Sequence, residues 1–296
     1  MKIVIFTNTE KLYAEETAKK TENLLRDKGA EVSRLDINDV ISFDPTGTDV
    51  IIVIGGDGSI LKAAKIASIS GIPLLGINTG RLGFMASIER TELPLLSNLI
   101  GGDYVISERM RIAGYVVRDG KVISEVTATN EISAIRPVTK ITDFEILAGN
   151  TEKNRTESDR LWHEGEANFH TVCAFRADGI IIAAPTGSTA YALANGGAII
   201  EPNADCMELT PISAHTLSMR PIIFSGKTLL KVSCNLTAAY SESEPVRVVA
   251  DGVVTQSLKT GDTLYIKKSD KPLRLIDLKP NAFYESVNGK LFQSLK

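Results

Sequence analysis

Two patterns of apolar residues divide the chain near residue 105. In the first hundred residues, short runs of branched apolar residues alternate with stretches of helical spacing. Such alternation predicts a parallel sheet with helices on its faces. The predicted strands are Lys2–Phe6, Glu31–Leu35, Val50–Ile54 and Leu74–Ile77, and the predicted helices are Glu10–Lys28, Ser59–Ser68 and Glu92–Ile100.

Beyond about Arg109 the pattern changes to a period of two, which is typical of strands. We expect a Rossmann-like α/β domain over residues 1–105 and a β-rich, sandwich-like domain over 106–280. The tail, 281–296, is expected to pack back on the first domain, and the polar stretch 148–168 to be an exposed insertion. The predicted strands of the second domain are Arg111–Val117, Val122–Thr127, Phe144–Leu147, Thr171–Phe175, Thr228–Ser233, Arg247–Val249 and Thr263–Ile266.

Charge and composition exclude several classes of protein. The net charge is −3, so no overall field attracts nucleic acid or an anionic membrane. No apolar run approaches the ~20 residues of a membrane span, and the chain start lacks a signal-peptide pattern. Cys173, Cys206 and Cys234 suit neither a disulfide framework nor a zinc site. We expect free thiols in a reducing, cytoplasmic compartment and no metal-binding cluster of side chains.

The apolar run Ile51–Ile54 ends in the glycine turn, defined here as residues 55–58 (Gly-Gly-Asp-Gly). A turn between a strand and a helix directs backbone N–H groups at a ligand above the sheet edge, which suits a phosphate. Asp57 is the one side chain of the turn that can act as a base or hold a metal. The alternative is a structural turn in which Asp57 only caps the helix.

A second glycine-rich turn follows the next predicted strand, at residues 76–84 (Gly-Ile-Asn-Thr-Gly-Arg-Leu-Gly-Phe). Turns after neighbouring parallel strands meet at the sheet edge where α/β proteins bind ligands. Arg81 can grip a phosphate through two hydrogen bonds, or it is simply a solvated surface arginine. These two turns together favour a phosphate site in the first domain.

The third candidate is Pro-Thr-Gly-Ser-Thr at residues 185–189, between an apolar strand and a short helical stretch. Hydroxyl groups and backbone N–H groups at such a junction suit the ribose, base and phosphate oxygens of a nucleotide. The alternative is that Thr186 or Ser188 merely caps the helix.

In their order along the chain, these motifs resemble those of NAD kinases. The resemblance covers about residues 50–255 and rests on the glycine turn, on the second turn, on Asn130-Glu131, on Asp178-Gly179 with Pro-Thr-Gly-Ser-Thr-Ala-Tyr, and on Arg220-Pro221-Ile222. Gly-Gly-Asp-Gly alone is shared with diacylglycerol and sphingosine kinases. The resemblance implies transfer of a phosphoryl group from ATP or polyphosphate, with Mg²⁺ or another divalent metal, to the adenosine ribose 2′-hydroxyl of NAD.

The resemblance also implies roles for individual residues. Asp57 is expected to be the catalytic base, and the chain is expected to form a homodimer or homotetramer in which a neighbour's loop around Ser213 completes the nucleotide site. Asp251-Gly252 matches a pair near the reaction centre. The other residues expected to bind NAD or the phosphoryl donor are Gly56, Gly58, Arg81, Phe84, Asn130, Glu131, Asp178, Thr186, Thr189, Ala190 and Tyr191.

The sequence departs from the family pattern in two places. Val253 stands where a glutamine commonly follows Asp-Gly, and 148–168 is longer than the usual hairpin. The spacing of His163 and Glu164 does not form His-Glu-x-x-His, which favours a solvated loop over a metal site. A lipid kinase of the diacylglycerol or sphingosine type and a non-catalytic NAD(P)-binding sensor remain as alternatives to an NAD kinase.

Overall fold

The computed structural model describes residues 1–80, 83–136, 141–150, 169–235, 245–279 and 282–289. It divides into two compact units, one formed by residues 1–109 with 271–296 and the other by 110–270. Each unit has its own hydrophobic core and is described separately. Across these ranges, no helix has both the length and the apolar character needed to cross a membrane.

The first unit is a mainly parallel sheet with helices on both faces. Its strand order is β2-β1-β3-β4-β19-β6, and β5 pairs with β4. Strands β1 to β5 pair in parallel, whereas β6 runs antiparallel to β19. The elements are β1 (Lys2–Thr7), α1 (Ala14–Asp27), β2 (Glu31–Asp36), β3 (Val50–Gly55), α2 (Asp57–Ser70), β4 (Leu74–Asn78), β5 (Ile88–Glu89), α3 (Leu96–Gly101), β6 (Val105–Arg109), β19 (Leu273–Asp277) and α5 (Ala282–Val287).

The continuous apolar run of β3 has a simple cause, because both faces of the sheet are covered. Ile52 and Ile54 pack in a cluster with residues of α1, and Ile51 and Val53 pack in another cluster with residues of α2. Every residue of β3 is buried. A strand covered on both faces needs no polar alternation, which is why the run is apolar throughout.

Two boundaries in this unit differ from the sequence expectation. The first helix begins at Ala14 rather than Glu10, because Tyr13 adopts a left-handed conformation with φ of 64°. Residues 271–280 were expected in the second domain, yet β19 pairs in parallel with β4 and antiparallel with β6. The chain therefore returns to the first sheet about ten residues earlier than the expected boundary at 280.

The second unit contains two sheets of six strands each within the described residues. Their strand orders are β11-β10-β15-β18-β7-β8 and β14-β13-β12-β9-β16-β17. The strands are β7 (Ile112–Arg118), β8 (Lys121–Ala128), β9 (Glu131–Ile135), β10 (Thr142–Asn150), β11 (His170–Ala177), β12 (Gly179–Ala183), β13 (Cys206–Ile212), β14 (Ile222–Ser225), β15 (Thr228–Asn235), β16 (Val246–Ala250), β17 (Val253–Leu258) and β18 (Thr263–Lys268), with the short helix α4 (Tyr191–Ala194).

These two sheets pack face to face as a sandwich. One apolar cluster takes residues from both, such as Phe144 and Leu230 from the first sheet and Ile180 and Leu209 from the second.

The expected insertion begins later than predicted, because Ala148–Asn150 still belong to β10. Its remainder, 151–168, lies outside the described residues. β13 carries Pro211, which fits because the pairing with β14 ends at Leu209.

Candidate active site

The glycine turn lies at the carboxyl end of β3, where the chain enters α2. Gly56 caps the helix in an extended conformation, and Asp57 is its first residue. A Cβ atom added to Gly56 or Gly58 would meet nothing within 4 Å. Packing inside the unit therefore does not require glycine at either position. The exposed backbone at the start of a helix is the arrangement that binds phosphate.

The carboxylate of Asp57 is held by the backbone of the second glycine-rich turn. The Phe84 N–H donates to its Oδ2 at 2.9 Å, and the Met85 N–H donates to its Oδ1 at 3.2 Å. Asp57 is half-buried and does not cap its own helix through a side-chain bond. Each carboxylate oxygen keeps a second lone pair, so the group is fixed in orientation and can still accept a proton.

Gly83 makes this contact possible. A Cβ atom there would lie 2.0 Å from Asp57 Oδ1, which no side chain can tolerate. The segment is supported from behind by α5, since the Ser286 hydroxyl donates to the Gly83 carbonyl at 3.0 Å. The rings of Phe84 and Phe283 also meet, with centroids 6.4 Å apart. Within the first unit, the structure thus brings together Gly56, Asp57, Gly58 and Phe84. Arg81 lies outside the described residues.

In the second unit, the polar cleft is defined here by Asn130, Glu131 and Thr186. All three residues are at least nine-tenths buried. Asn130 Oδ1, Glu131 Oε2 and Thr186 Oγ1 have no hydrogen-bond partner among the described residues. Buried polar atoms are nearly always paired in native proteins. Three such atoms carried by adjoining segments form a group that a polar ligand can satisfy.

Gly187 allows these segments to approach. A Cβ atom there would lie 2.1 Å from the Asn130 carbonyl oxygen, and the Ala184 N–H donates to that oxygen at 2.8 Å. Ser188 serves the fold rather than a ligand, because its hydroxyl donates to the Pro185 carbonyl at 2.7 Å and accepts from the Ile200 N–H at 3.0 Å. The Pro-Thr-Gly-Ser-Thr segment is therefore anchored against the Asn130 backbone.

The residues after this segment lie beside the cleft. The Thr189 hydroxyl donates to the Thr186 carbonyl at 3.3 Å. Ala190 separates that turn from α4, and the Tyr191 N–H hydrogen bonds to the Glu131 carboxylate. The Tyr191 side chain is 40% exposed, so its ring is available to a ligand at the entrance.

Electrostatics distinguish Glu131 from an ordinary surface acid. Burial raises its pKa, the negative charge of Asp251 raises it further, and together they bring it from 4.5 to about 7. The Tyr191 N–H acts in the opposite direction. The carboxylate that carries one of the three unpaired atoms is therefore the one whose pKa lies near neutral pH.

Asp251 lies against the backbone that carries Asn130 and Glu131. Its carboxylate accepts the N–H groups of Thr129 and Asn130 at 2.8 Å each, and that of Glu131 at 3.4 Å. Asp251 and Gly252 form the two-residue turn between β16 and β17 with φ of 47° and 81°, as an Asp-Gly hairpin does. Asp251 therefore helps to hold the backbone of the polar cleft, and its expected place near the reacting groups stays a prediction.

Asp178 and Ser213 do not join this group within one chain. Asp178 precedes β12 and donates its N–H to the Ile212 carbonyl at 3.0 Å, whereas Thr186 follows the same strand. The five residues of β12 span about 16 Å. His215 lies at the Asp178 end, with its Nε2 4.0 Å from Asp178 Oδ1. These residues form a separate polar edge of the second unit.

Two residues that shape the site went unnoticed in the sequence. Gly83 is needed only because Asp57 approaches it from a distant segment. Arg111 is buried beside Thr127 and Thr129, and no local motif marks it. The described residues contain no group of three or more His, Cys, Asp or Glu side chains that could hold a metal ion.

Comparison with known proteins decides the family. The chain matches the ATP-NAD kinase N-terminal domain over residues 3–104 and the ATP-NAD kinase C-terminal domain over 156–278. It is 34% identical over 249 residues to an NAD kinase of Geotalea daltonii, covering 83% of this chain and 79% of that protein. An NAD kinase of Coxiella burnetii is 37% identical over 243 residues, covering 82% and 74%.

This chain belongs to the NAD kinase family. Solved structures with the same fold include yeast NADH kinase complexed with NADH, at a TM-score of 0.78 and 22% identity, covering 99% of this chain and 89% of that one. An NAD kinase from Archaeoglobus fulgidus in complex with ATP gives a TM-score of 0.69 and 22% identity, covering 96% of each chain. The NAD kinase fold thus accounts for both units.

Proposed function

We propose that this protein transfers a phosphoryl group from ATP to the 2′-hydroxyl of the adenosine ribose of NAD, which forms NADP. The observation that carries the proposal is the polar cleft, whose Asn130, Glu131 and Thr186 side chains are buried with unpartnered polar atoms. A ribose supplies hydroxyl groups that both donate and accept hydrogen bonds. Family membership supports the same reaction.

We assign NAD to the polar cleft. Glu131 in its ionised form accepts hydrogen bonds from ribose hydroxyls, while Asn130 and Thr186 offer both donor and acceptor atoms. Thr189, Ala190 and Tyr191 line the entrance. Burial makes these hydrogen bonds strong. A ligand that lacks the matching groups binds with a less favourable free energy, because it leaves the same buried atoms unpaired.

We assign the phosphoryl donor to the glycine turn and Asp57 to general-base catalysis. The N–H groups around Gly56 and Gly58 lie at the N-terminus of a helix of 14 residues, where anions bind favourably. The Asp57 carboxylate takes the proton of the attacking hydroxyl. The backbone N–H groups of Phe84 and Met85 keep the carboxylate oriented during this step. Positioning of this kind accounts for most of phosphoryl-transfer catalysis.

A divalent cation such as Mg²⁺ fits this assignment as an ion that binds together with ATP rather than at a permanent site of the protein. Mg²⁺ keeps several waters and takes one or two carboxylates plus substrate phosphates. Asp57 is the carboxylate at the glycine turn and would be the protein's ligand to such a cation. When bound, the cation neutralises charge on the phosphates.

We also infer a homodimer or homotetramer. Asp178 and Ser213 are expected to meet NAD, but in one chain β12 separates them from the polar cleft. A second copy can present this edge to the cleft of the first.

The three free cysteines agree with a reducing, cytoplasmic location.

The test is formation of NADP in a mixture of the protein, NAD, ATP and Mg²⁺, measured with an NADP-specific dehydrogenase. Parallel arms replace ATP with polyphosphate, NAD with NADH, and NAD with diacylglycerol or sphingosine. We expect NADP from NAD and no phosphorylated lipid. Phosphorylation of lipid alone would favour the lipid-kinase alternative, and NAD binding without any turnover would favour a sensor.

A further inference from the structure

Arg111 is a buried charge next to the polar cleft. Its side chain is 2% exposed. The Nε donates to the Thr129 hydroxyl at 3.1 Å, and a terminal nitrogen donates to the Thr127 hydroxyl at 2.9 Å. An arginine does not lose its proton in a protein, so a buried guanidinium needs a negative partner.

Asp251 supplies that negative charge. Its carboxylate attracts the Arg111 guanidinium, while burial raises the pKa of Asp251 and lowers that of Arg111. The two carboxylate oxygens are occupied by the N–H groups of Thr129 and Asn130. A carboxylate fixed by two backbone N–H groups has little freedom to move, and the charge of Arg111 favours its ionised form.

Thr129 joins the two charged groups. Its hydroxyl accepts from Arg111, its N–H donates to Asp251, and it is completely buried. The backbone from Thr129 to Glu131 is therefore held from two directions. The next side chains along that backbone, Asn130 and Glu131, are the ones with unpartnered buried atoms.

We propose that Arg111 is a positioning residue of the polar cleft. Through Asp251 and Thr129, it fixes the backbone from which Asn130 and Glu131 face their ligand. The identity of that ligand as NAD rests on the proposed function, but the fixing of the backbone does not. Arg111 itself has no contact with the ligand in this account.

A purely packing role and a positioning role differ in their electrostatic consequences. Arg111 and Asp251 act on each other, and the charge of Asp251 acts in turn on Glu131. Arg111 lowers the pKa of Asp251, so Asp251 takes up a proton at a higher pH when the guanidinium is removed. A protonated Asp251 holds the N–H groups of Thr129 and Asn130 less well, so in the variant the protection of residues 129–131 weakens further as pH falls. Loss of packing alone adds no such pH dependence.

The experiment compares Arg111→Met, Arg111→Lys and a matched control, Arg118→Met, in the full-length protein. Arg118 lies at the far end of β7 and pairs with buried Asp262 through two bonds of 2.7 Å. Amide hydrogen exchange is measured at residues 129–131 without ligand. NAD affinity is measured by calorimetry, and both measurements are made from about pH 6 to about pH 9.

For Arg111→Met, we expect exchange at 129–131 to accelerate about tenfold and NAD affinity to fall about tenfold, with the larger loss at the lower pH values. Arg111→Lys keeps the charge but loses the planar fork, so its exchange rises less and does not gain this pH dependence. Arg118→Met is expected to lower thermal stability and leave residues 129–131 and NAD affinity unchanged.

Unaltered exchange at 129–131 in Arg111→Met would overturn the proposal, and so would an effect of equal size in Arg118→Met. If Arg111→Met does not fold, the test uses Arg111→Lys, and unaltered exchange at 129–131 in that variant would also overturn the proposal. If the unchanged protein fails to bind NAD, the proposed function fails. The exchange measurement still tests the positioning role of Arg111, because it uses no ligand.

Discussion

The glycine turn and the polar cleft each hold a carboxylate, but they treat it in opposite ways. Asp57 is half-buried and has both oxygens paired with backbone N–H groups. Glu131 is buried, lies near a second acid and has an oxygen without a partner among the described residues. One carboxylate is stabilised by its own unit, and the other requires a ligand to complete its environment.

Under the proposed function, this difference separates the residue that reacts from the residues that recognise NAD. A base must keep its orientation throughout turnover, so fixed backbone donors suit Asp57. A recognition group gains selectivity when its buried atoms are satisfied only by the correct ligand. The comparison predicts that changes at the glycine turn alter turnover, whereas changes at the polar cleft alter affinity.

The largest expected effect comes from Asp57→Asn. The amide keeps the size of the side chain but cannot accept the proton, so turnover is expected to fall about 10²–10⁴-fold. NAD affinity measured by calorimetry is expected to stay within about twofold, because no cleft atom changes. Near-normal turnover would remove Asp57 from the catalytic role and erase the contrast between the two regions.

A somewhat smaller loss is expected from Gly83→Ala. The new Cβ would lie 2.0 Å from Asp57 Oδ1, so the carboxylate must shift, and such a displacement can cost about 10²-fold in turnover. Gly101→Ala is the control, since its added Cβ meets nothing within 4 Å. Steady-state kinetics of both variants, with melting temperatures, separate a local shift from loss of folding.

Substitutions in the polar cleft test the same comparison through NAD affinity instead of turnover. Glu131→Gln removes the charge that accepts ribose hydroxyls, and Thr186→Val removes one hydroxyl. We expect NAD affinity to fall about tenfold or more for the first and about fivefold for the second, with turnover at saturating NAD far less affected. A selective loss of turnover instead would assign Glu131 to the reaction itself.

The smallest effect concerns stability and pH. The folded pKa of Glu131, about 7, lies above its unfolded value of 4.5. The folded state therefore holds more protons between these values, and stability falls as pH rises through that window. Glu131→Gln is expected to flatten this decline in denaturant titrations at a series of pH values. An unchanged decline would mean that Glu131 is not the group that titrates.

Local motifs carried most of what the sequence could predict. The glycine turn and the Pro-Thr-Gly-Ser-Thr segment are contiguous, and their chemistry is visible in their composition. Strand β3 is buried on both faces and was recognised from its continuous run of branched apolar residues. Strand β13 is also almost wholly buried, but it was missed because Glu208, Thr210 and Pro211 interrupt its apolar residues.

Contacts between distant segments could not be predicted in this way. Nothing near Gly83 in the sequence announces that Asp57, 26 residues earlier, approaches its Cα atom. The contact of Asp251 with the backbone of residues 129–131 is equally hidden in the sequence, because about 120 residues separate the two segments.

The position of the new phosphate on the product tests the central claim most directly. NAD is incubated with the protein, ATP and Mg²⁺, and the product is analysed by phosphorus–proton correlated NMR. The account predicts a phosphate monoester coupled to the H2′ proton of the adenosine ribose. Attachment at any other hydroxyl of NAD, or a complete lack of NAD-derived monoester, would contradict it.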